Sequence, residues 1–179
     1  MKIKNEVARL GLILFSITAV VALLLSVVNG VTKDQIAKIN EQIVQDAMAA
    51  VMPGAEFEET VTDTGDDAIL AYAKSSDGGC CVQVQVTGFG GPLVMVVGID
   101  ADGVVTGVQV TEHEETPGLG AKAQDEEWIA QFAGTTSGVS VTKSEVGENQ
   151  VEAISGATIT SDAVASGVNL ACQFVKGLE

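Results

Sequence analysis

Between Arg9 and Lys33 the chain carries no charged residue. The stretch LGLILFSITAVVALLLSVVNG, which begins at Leu10, matches the roughly 20 residues that a helix needs to cross the hydrocarbon core of a bilayer. It predicts a transmembrane anchor over residues 10–31. A cleaved signal peptide is the competing reading, because Lys2, Lys4 and Arg9 form a positive leader. The apolar stretch is long for a leader, however, and SVVNGV lacks the small-residue pattern of a cleavage site, so a retained anchor is expected.

Charge sets the expected orientation. Three of the nine cationic residues lie within the first nine positions, whereas Lys33 and Lys38 are offset by Asp34 and Glu41. The positive-inside bias therefore keeps residues 1–9 cytoplasmic and places the rest outside. From Asp34 onward the chain holds five lysines, no arginine and twenty-three carboxylates, a balance that excludes nucleic acid and anionic lipid as natural partners of that part. Cys80, Cys81 and Cys172 make no disulfide framework, since their number is odd and two are adjacent; they are expected as small buried hydrophobes in a strand and a helix.

Beyond the anchor, residues 32–54 read as a connecting amphipathic helix. Thr32 is placed to cap it, Ile36, Ile39, Ile43, Ala47 and Val51 recur on one face that is expected to pack in a core, and MPGA ends it. FEETVTDTGDDA is a polar connection. The remainder, within a domain over residues 55–179, reads as sheet and helix. CCVQVQVTG alternates, PLVMVVGID is a continuous apolar run, and GVVTGVQVTEH alternates again after a DADG hairpin turn. Asp100 and Asp102 ahead of Gly103 suggest the start of a calcium loop, but the later ligands of that pattern are missing, which favours the turn. EEWIAQFAG, residues 126–134, has Trp128, Ile129 and Phe132 spaced for one helical face. Short strands are expected at GVSVTK and VEAI, and a last helix from about Ser161 to Val175, with Val164, Val168, Ala171, Cys172 and Val175 inward. The fold class that follows is α+β: an antiparallel sheet packed with helices, preceded by one N-terminal transmembrane helix.

Two stretches carry chemistry. In VEAISGATITSDAV, Gly156 and Ala157 leave room for a bulky group to approach the backbone. Thr158 stands at a helix start whose free N–H groups and dipole favour phosphate. The residues alone are equally compatible with an ordinary N-cap rich in hydroxyls, supplied by Thr160, Ser161 or Asp162. In HEETPGLG, Pro117 fixes one turn position, and Gly118 and Gly120 permit tight backbone. His113, Glu114 and Glu115 on a single turn read as solvated loop charges, and no metal site is expected. Ser155 has no histidine partner near it in sequence, so a hydrolase is disfavoured and no catalytic residue is assigned.

Glu152-x-x-Ser155-Gly156-Ala157-Thr158, continued by ITS, resembles the flavinylation motif of the FMN-binding domain family found in the G subunit of Rnf complexes and the C subunit of sodium-pumping NADH:quinone reductases. The family's leading acid is usually Asp, so Glu152 is a departure that preserves charge. The segment VVGIDADGVVTGVQVTEHEETPGLG and the preceding GFGGP are also similar to the Rnf G family, and the short length favours the Rnf member over the reductase one.

The resemblance implies a fold and a function. Thr158 would carry FMN through a phosphoester bond installed by a separate flavin transferase that uses FAD. Glu152, Ser155, Gly156, Ala157, Thr160 and Ser161 would surround the attachment point. His113, Glu115, Thr116, Pro117, Gly118, Leu119 and Gly120 would contact the flavin ring or shape the loop beside it. The chain would be an electron-transfer component of an ion-translocating ferredoxin:NAD oxidoreductase, partnered by the other Rnf membrane subunits. A tether suits an acidic domain, where repulsion weakens a freely dissociating FMN, and the scarcity of cations predicts a low flavin potential. The alternatives are a non-redox, membrane-anchored scaffold outside the cell membrane, or the C subunit of a sodium-translocating NADH:quinone reductase.

Overall fold

A computed structural model describes residues 2–178, with the side chains of residues 2–5 and 34 excepted, so Lys2, Lys4 and Asp34 of the charge argument lie outside the described side chains. The chain divides into two compact units, residues 1–42 and 43–179.

The first unit is helical throughout its described residues, as part of α1 (Lys2–Val51). Its apolar side chains are exposed, Leu12, Phe15 and Leu25 among them. The helix is long and apolar enough to cross a membrane by length and composition. Two of its hydroxyls are satisfied internally: Ser16 Oγ donates to Leu12 O at 2.8 Å and Thr18 Oγ1 to Leu14 O at 3.0 Å, the arrangement a lipid-facing helix requires of polar groups. The separate connecting helix capped by Thr32 does not occur, because α1 runs unbroken through Gly30 and Thr32. One glycine costs a helix only about 1 kcal/mol relative to alanine, too little to break a ladder this long.

The expected inward face is also only half correct. Ala47 and Val51, joined by Met48, are buried, whereas Ile36, Ile39 and Ile43 are exposed. The helix ends at Val51, where Met52-Pro53-Gly54 follows.

In the second unit, β1 (Ile69–Lys74), β2 (Cys80–Thr87), β3 (Pro92–Ile99) and β4 (Val105–His113) form an antiparallel sheet in chain order. One face carries Val82, Val84, Leu93, Met95, Val97 and Ile99 against α3 (Thr158–Gly177). The other carries Ala73, Cys81 and Val96 against Ala47, Met48, Val51 and Met52. β3 is covered on both sides, which is why its sequence is a continuous apolar run instead of an alternation. The three cysteines are free and buried, as expected. Cys80 faces the α3 side and Cys81 the other, as neighbours in a strand must.

β1 has no counterpart among the strands expected from sequence. ILAYAK is short and alanine-rich, with weak strand preference of its own. It is a strand because β2 pairs with it and because the acidic connection pairs with its free edge: Val61 and Tyr72 exchange both backbone hydrogen bonds, at 2.8 and 2.9 Å.

The DADG turn forms as expected, with Asp100 Oδ1 accepting the amides of Asp102 and Val104 and Gly103 at a φ of 78°. The expected helix at 126–134 is shorter: α2 (Glu126–Ile129) tightens into a 3₁₀ turn over Ala130–Phe132, which buries Phe132 fully before Gly134. β5 (Ser140–Thr142) and β6 (Gln150–Glu152) pair with each other in parallel, apart from the main sheet. α3 begins three residues earlier than expected, and Val164, Val168, Ala171 and Cys172 are inward, with Val175 partly buried.

Candidate functional site

Three segments meet around a cleft of about 410 Å³, lined by Phe89, by Glu115, Thr116, Leu119 and Gly120, and by Gly156 through Thr160.

The first segment is the turn between β2 and β3. Gly88 N–H donates to Gly91 O at 2.8 Å, which closes the turn and holds Phe89 at its tip, 70% exposed. This turn needs glycine for space: a Cβ on Gly88 would strike the Glu115 carboxylate, and one on Gly90 the Glu114 carbonyl.

The second segment follows β4. Glu115 turns inward and is 6% exposed. Its backbone N–H donates to His113 Nδ1 at 3.2 Å, which fixes the start of the loop. Thr116 O then accepts from Leu119 N and Ala121 N, with Gly118 at a φ of 77° between them. A 3₁₀ turn follows over Gly120–Gln124, and Leu119 is left exposed at the cleft.

The third segment is the start of α3. Ala157 occupies the N-cap and has no side-chain oxygen, so the first amides of the helix have no capping acceptor. The hydroxyls expected as caps are engaged elsewhere. Ser161 Oγ, fully buried, donates to Ala157 O at 3.0 Å and accepts the Ile154 amide at 2.9 Å, pinning the 154–157 loop from beneath. Thr160 Oγ1 donates to Glu115 Oε2 at 2.9 Å. Thr158, the first residue of α3, keeps a partly exposed side chain in the cleft.

The cleft therefore combines an uncapped helix start, a part-exposed hydroxyl beside it, an apolar rim of Phe89, Leu119 and Ile159, and one charged side chain, Glu115. Helix-start amides favour an oxyanion and the apolar rim favours a planar ring, so these residues fit a flavin phosphate. Residues 88–173 match the FMN-binding domain family, a span that opens on the Phe89 turn and closes within α3 and so takes in all three segments. The chain is 36% identical to the G subunit of the Na⁺-translocating ferredoxin:NAD⁺ oxidoreductase complex of Acetobacterium woodii, with 96% of this chain and 93% of that protein covered.

The chain belongs to the family of G subunits of ion-translocating oxidoreductase complexes. The G subunit of the Methanosarcina acetivorans complex is 33% identical, with 98% of this chain and 97% of that protein covered. Among solved structures, the C subunit of the Na⁺-translocating NADH-quinone reductase of Parabacteroides distasonis shares the fold, with a TM-score of 0.59 at 22% identity over 78% of this chain and 95% of that one. NqrC of Shewanella oneidensis does so with a TM-score of 0.52 at 23% identity over 60% of each chain.

Within this G-subunit fold the residues singled out from sequence separate into two sets. Thr158, Gly156, Ala157, Thr160, Glu115, Thr116, Leu119 and Gly120 line the cleft. Ser155 and Glu152 instead line a separate depression of about 520 Å³, together with Lys122 and Trp128. Ser161, His113, Pro117 and Gly118 are not among the lining residues of the cleft; the hydrogen bonds of Ser161 and His113 place those two behind it, as supports. Phe89 and Ile159 are the residues that sequence reasoning missed. Their signal was large apolar side chains in a glycine turn and at a helix start, where burial in a core is not expected.

Proposed function

We propose that the chain is the flavoprotein component of an Rnf-type ferredoxin:NAD oxidoreductase and holds FMN covalently on Thr158. The carrying observation is the part-exposed Thr158 side chain at the uncapped start of α3, inside an apolar-rimmed cleft. Bound flavin supplies electron transfer; the protein sets its position and surroundings. The phosphate would rest against the first amides of α3, and the ring against Phe89, Leu119 or Ile159. Gly156, at a φ of 79°, opens the backbone at the point of approach. Attachment consumes FAD: the Thr158 oxygen attacks the phosphorus on the FMN side, the pyrophosphate bond breaks, AMP leaves and the hydroxyl proton is released. A flavin transferase performs this step, and Ser155 and Glu152, exposed outside the cleft, are placed to be read by it.

Residues 10–31 anchor the chain in the cell membrane, residues 32–54 lead outward, and residues 55–179 hold the flavin on the far side from a cytoplasmic N-terminus. The other membrane subunits of the complex are its partners, a reading supported by relatives that are themselves components of such complexes.

Full-length protein made together with a flavin transferase is expected to give a fluorescent band after denaturing electrophoresis, and Thr158→Ala a dark one. A dark wild-type band would overturn the flavoprotein reading and favour the scaffold; a fluorescent T158A band would move the attachment elsewhere. Protease added to sealed, right-side-out cells should digest the domain after residue 54, and protection would reverse the orientation.

A further inference from the structure

Glu115 is the one charged side chain among the buried residues described, and it carries a feature the flavin reading does not use. Its carboxylate is fully engaged. Oε1 accepts the amides of Phe89 at 2.7 Å and Gly90 at 3.2 Å, and Oε2 accepts the Thr160 hydroxyl at 2.9 Å. These contacts tie the Phe89 turn to the first turn of α3, across residues 25 to 45 positions away in sequence. Gly88 and Gly120 both lack the Cβ that would collide with this carboxylate, so the backbone on two sides is cut to its shape.

All three donors are neutral, and among the described residues no lysine, arginine or histidine lines the cleft. Hydrogen bonds satisfy the oxygens without cancelling the charge. A glutamine would keep the two amide bonds through its single oxygen and would meet Thr160 only as a donor, with a much smaller desolvation cost, since burying an unpaired charge costs far more than burying an amide. What a carboxylate adds over an amide at this place is a second acceptor oxygen, used by Thr160, and a negative charge in the wall of the cleft.

Resting on the flavin reading, we infer that Glu115 is a positioning residue with an electrostatic role: it locks the Phe89 turn to the α3 start and, through a charge that no cationic side chain pairs, holds the potential of a flavin in the cleft down. A negative charge nearby opposes every electron that arrives without a proton, and burial of the Glu115 carboxylate limits its screening by water. The sign is therefore set, and removing the charge raises the midpoint potential.

The test uses full-length protein in detergent, made with the flavin transferase, as wild type, E115Q, E115A and, as a surface control, E114Q. Flavin potentials are measured by dithionite titration, and amide exchange at residues 88–91 is measured on protein made without the transferase. The expected result is a potential raised in E115Q, with exchange at the turn close to wild type and E114Q little changed. E115A should show faster exchange at the turn and less flavin attached. A wild-type potential in E115Q, or a rise no larger than that of E114Q, overturns the electrostatic role. A raised potential accompanied by an unlocked turn in E115Q also overturns it, because loosening would then be the cause. Unchanged exchange in E115A overturns the lock. The exchange measurement needs no flavin, so failure of attachment in wild type would sink the flavin reading while leaving the lock separately judged.

Discussion

The indole Nε1 of Trp128 donates to the carbonyl oxygen of Glu152 at 2.8 Å, and Gln131 Oε1 accepts the Glu152 amide at 2.8 Å. α2 and the 3₁₀ turn that follows it thereby hold both backbone groups of the residue that leads into the Ser155–Thr158 loop. Trp128→Phe keeps the ring but leaves the carbonyl without its donor, and should lower stability by about 1 kcal/mol in urea unfolding. Flavin attachment should slow, because Trp128 shares with Glu152 and Ser155 the depression proposed to be read by the transferase, whereas the potential of attached flavin should keep its wild-type value, since neither residue lines the cleft.

Two glycines of the loop after β4 should fail differently on substitution. Gly120→Ala places a Cβ against both Glu115 Oε2 and Thr160 Oγ1, and is expected to cost roughly 1–3 kcal/mol by overpacking and to slow flavin attachment. At Gly118 nothing lies within 4 Å of such a Cβ, but the φ of 77° is left-handed. Gly118→Ala should therefore cost about 1–2 kcal/mol from backbone strain alone, with attachment kept. Denaturant unfolding and in-gel fluorescence together separate the two outcomes.

Phe89, Leu119 and Ile159 are 70%, 46% and 57% exposed, so none holds the fold together. Phe89→Ala should change stability by no more than about 0.5 kcal/mol. If the ring of the flavin lies against this side chain, flavin attached to the variant should be quenched more readily by iodide. Unchanged quenching would place the ring away from the turn.

Burial pushes the Cys80 thiol up to about 11 and the Cys81 thiol up to about 12, from an ordinary 9.0. The folded state thus keeps protons that the unfolded chain releases. The stability tied to these groups is complete below pH 9.0 and is lost as pH rises toward 11 and 12. Thermal unfolding followed across that window should show a fall in Tm that is shallower in a Cys80→Ala, Cys81→Ala variant. At neutral pH the native protein should resist thiol reagents that label the unfolded chain.

Much of the fold was legible from local pattern. The alternation in CCVQVQVTG, the unbroken run in PLVMVVGID and the DADG turn each carry their cause within a few residues. β1 was not legible, because ILAYAK becomes a strand only through its pairing with β2 and Val61. Of the site, Thr158 and the loop around it were visible through a motif, and Glu115 through its loop. Phe89 and Ile159 were missed: a glycine turn and a helix start argue against core burial, but which cleft such a side chain borders is set by segments distant in sequence. Ser161 was visible but misassigned. Its hydroxyl supports the loop from inside and does not cap the helix, a choice that depends on where Ile154 and Ala157 lie in space.

The sequence by itself determined the charge-free apolar stretch, the acidic domain, the strands with strict alternation and the residue types able to receive a phosphate. These are short-range properties, set by side-chain chemistry and by the periods of helix and strand. Only the tertiary structure decided that Ala157 leaves the start of α3 uncapped, and that one carboxylate is buried where the turn at Phe89, the loop after β4 and α3 converge. Such facts depend on contacts between segments far apart in the chain, whose cost or gain exists only once the sheet has brought them together.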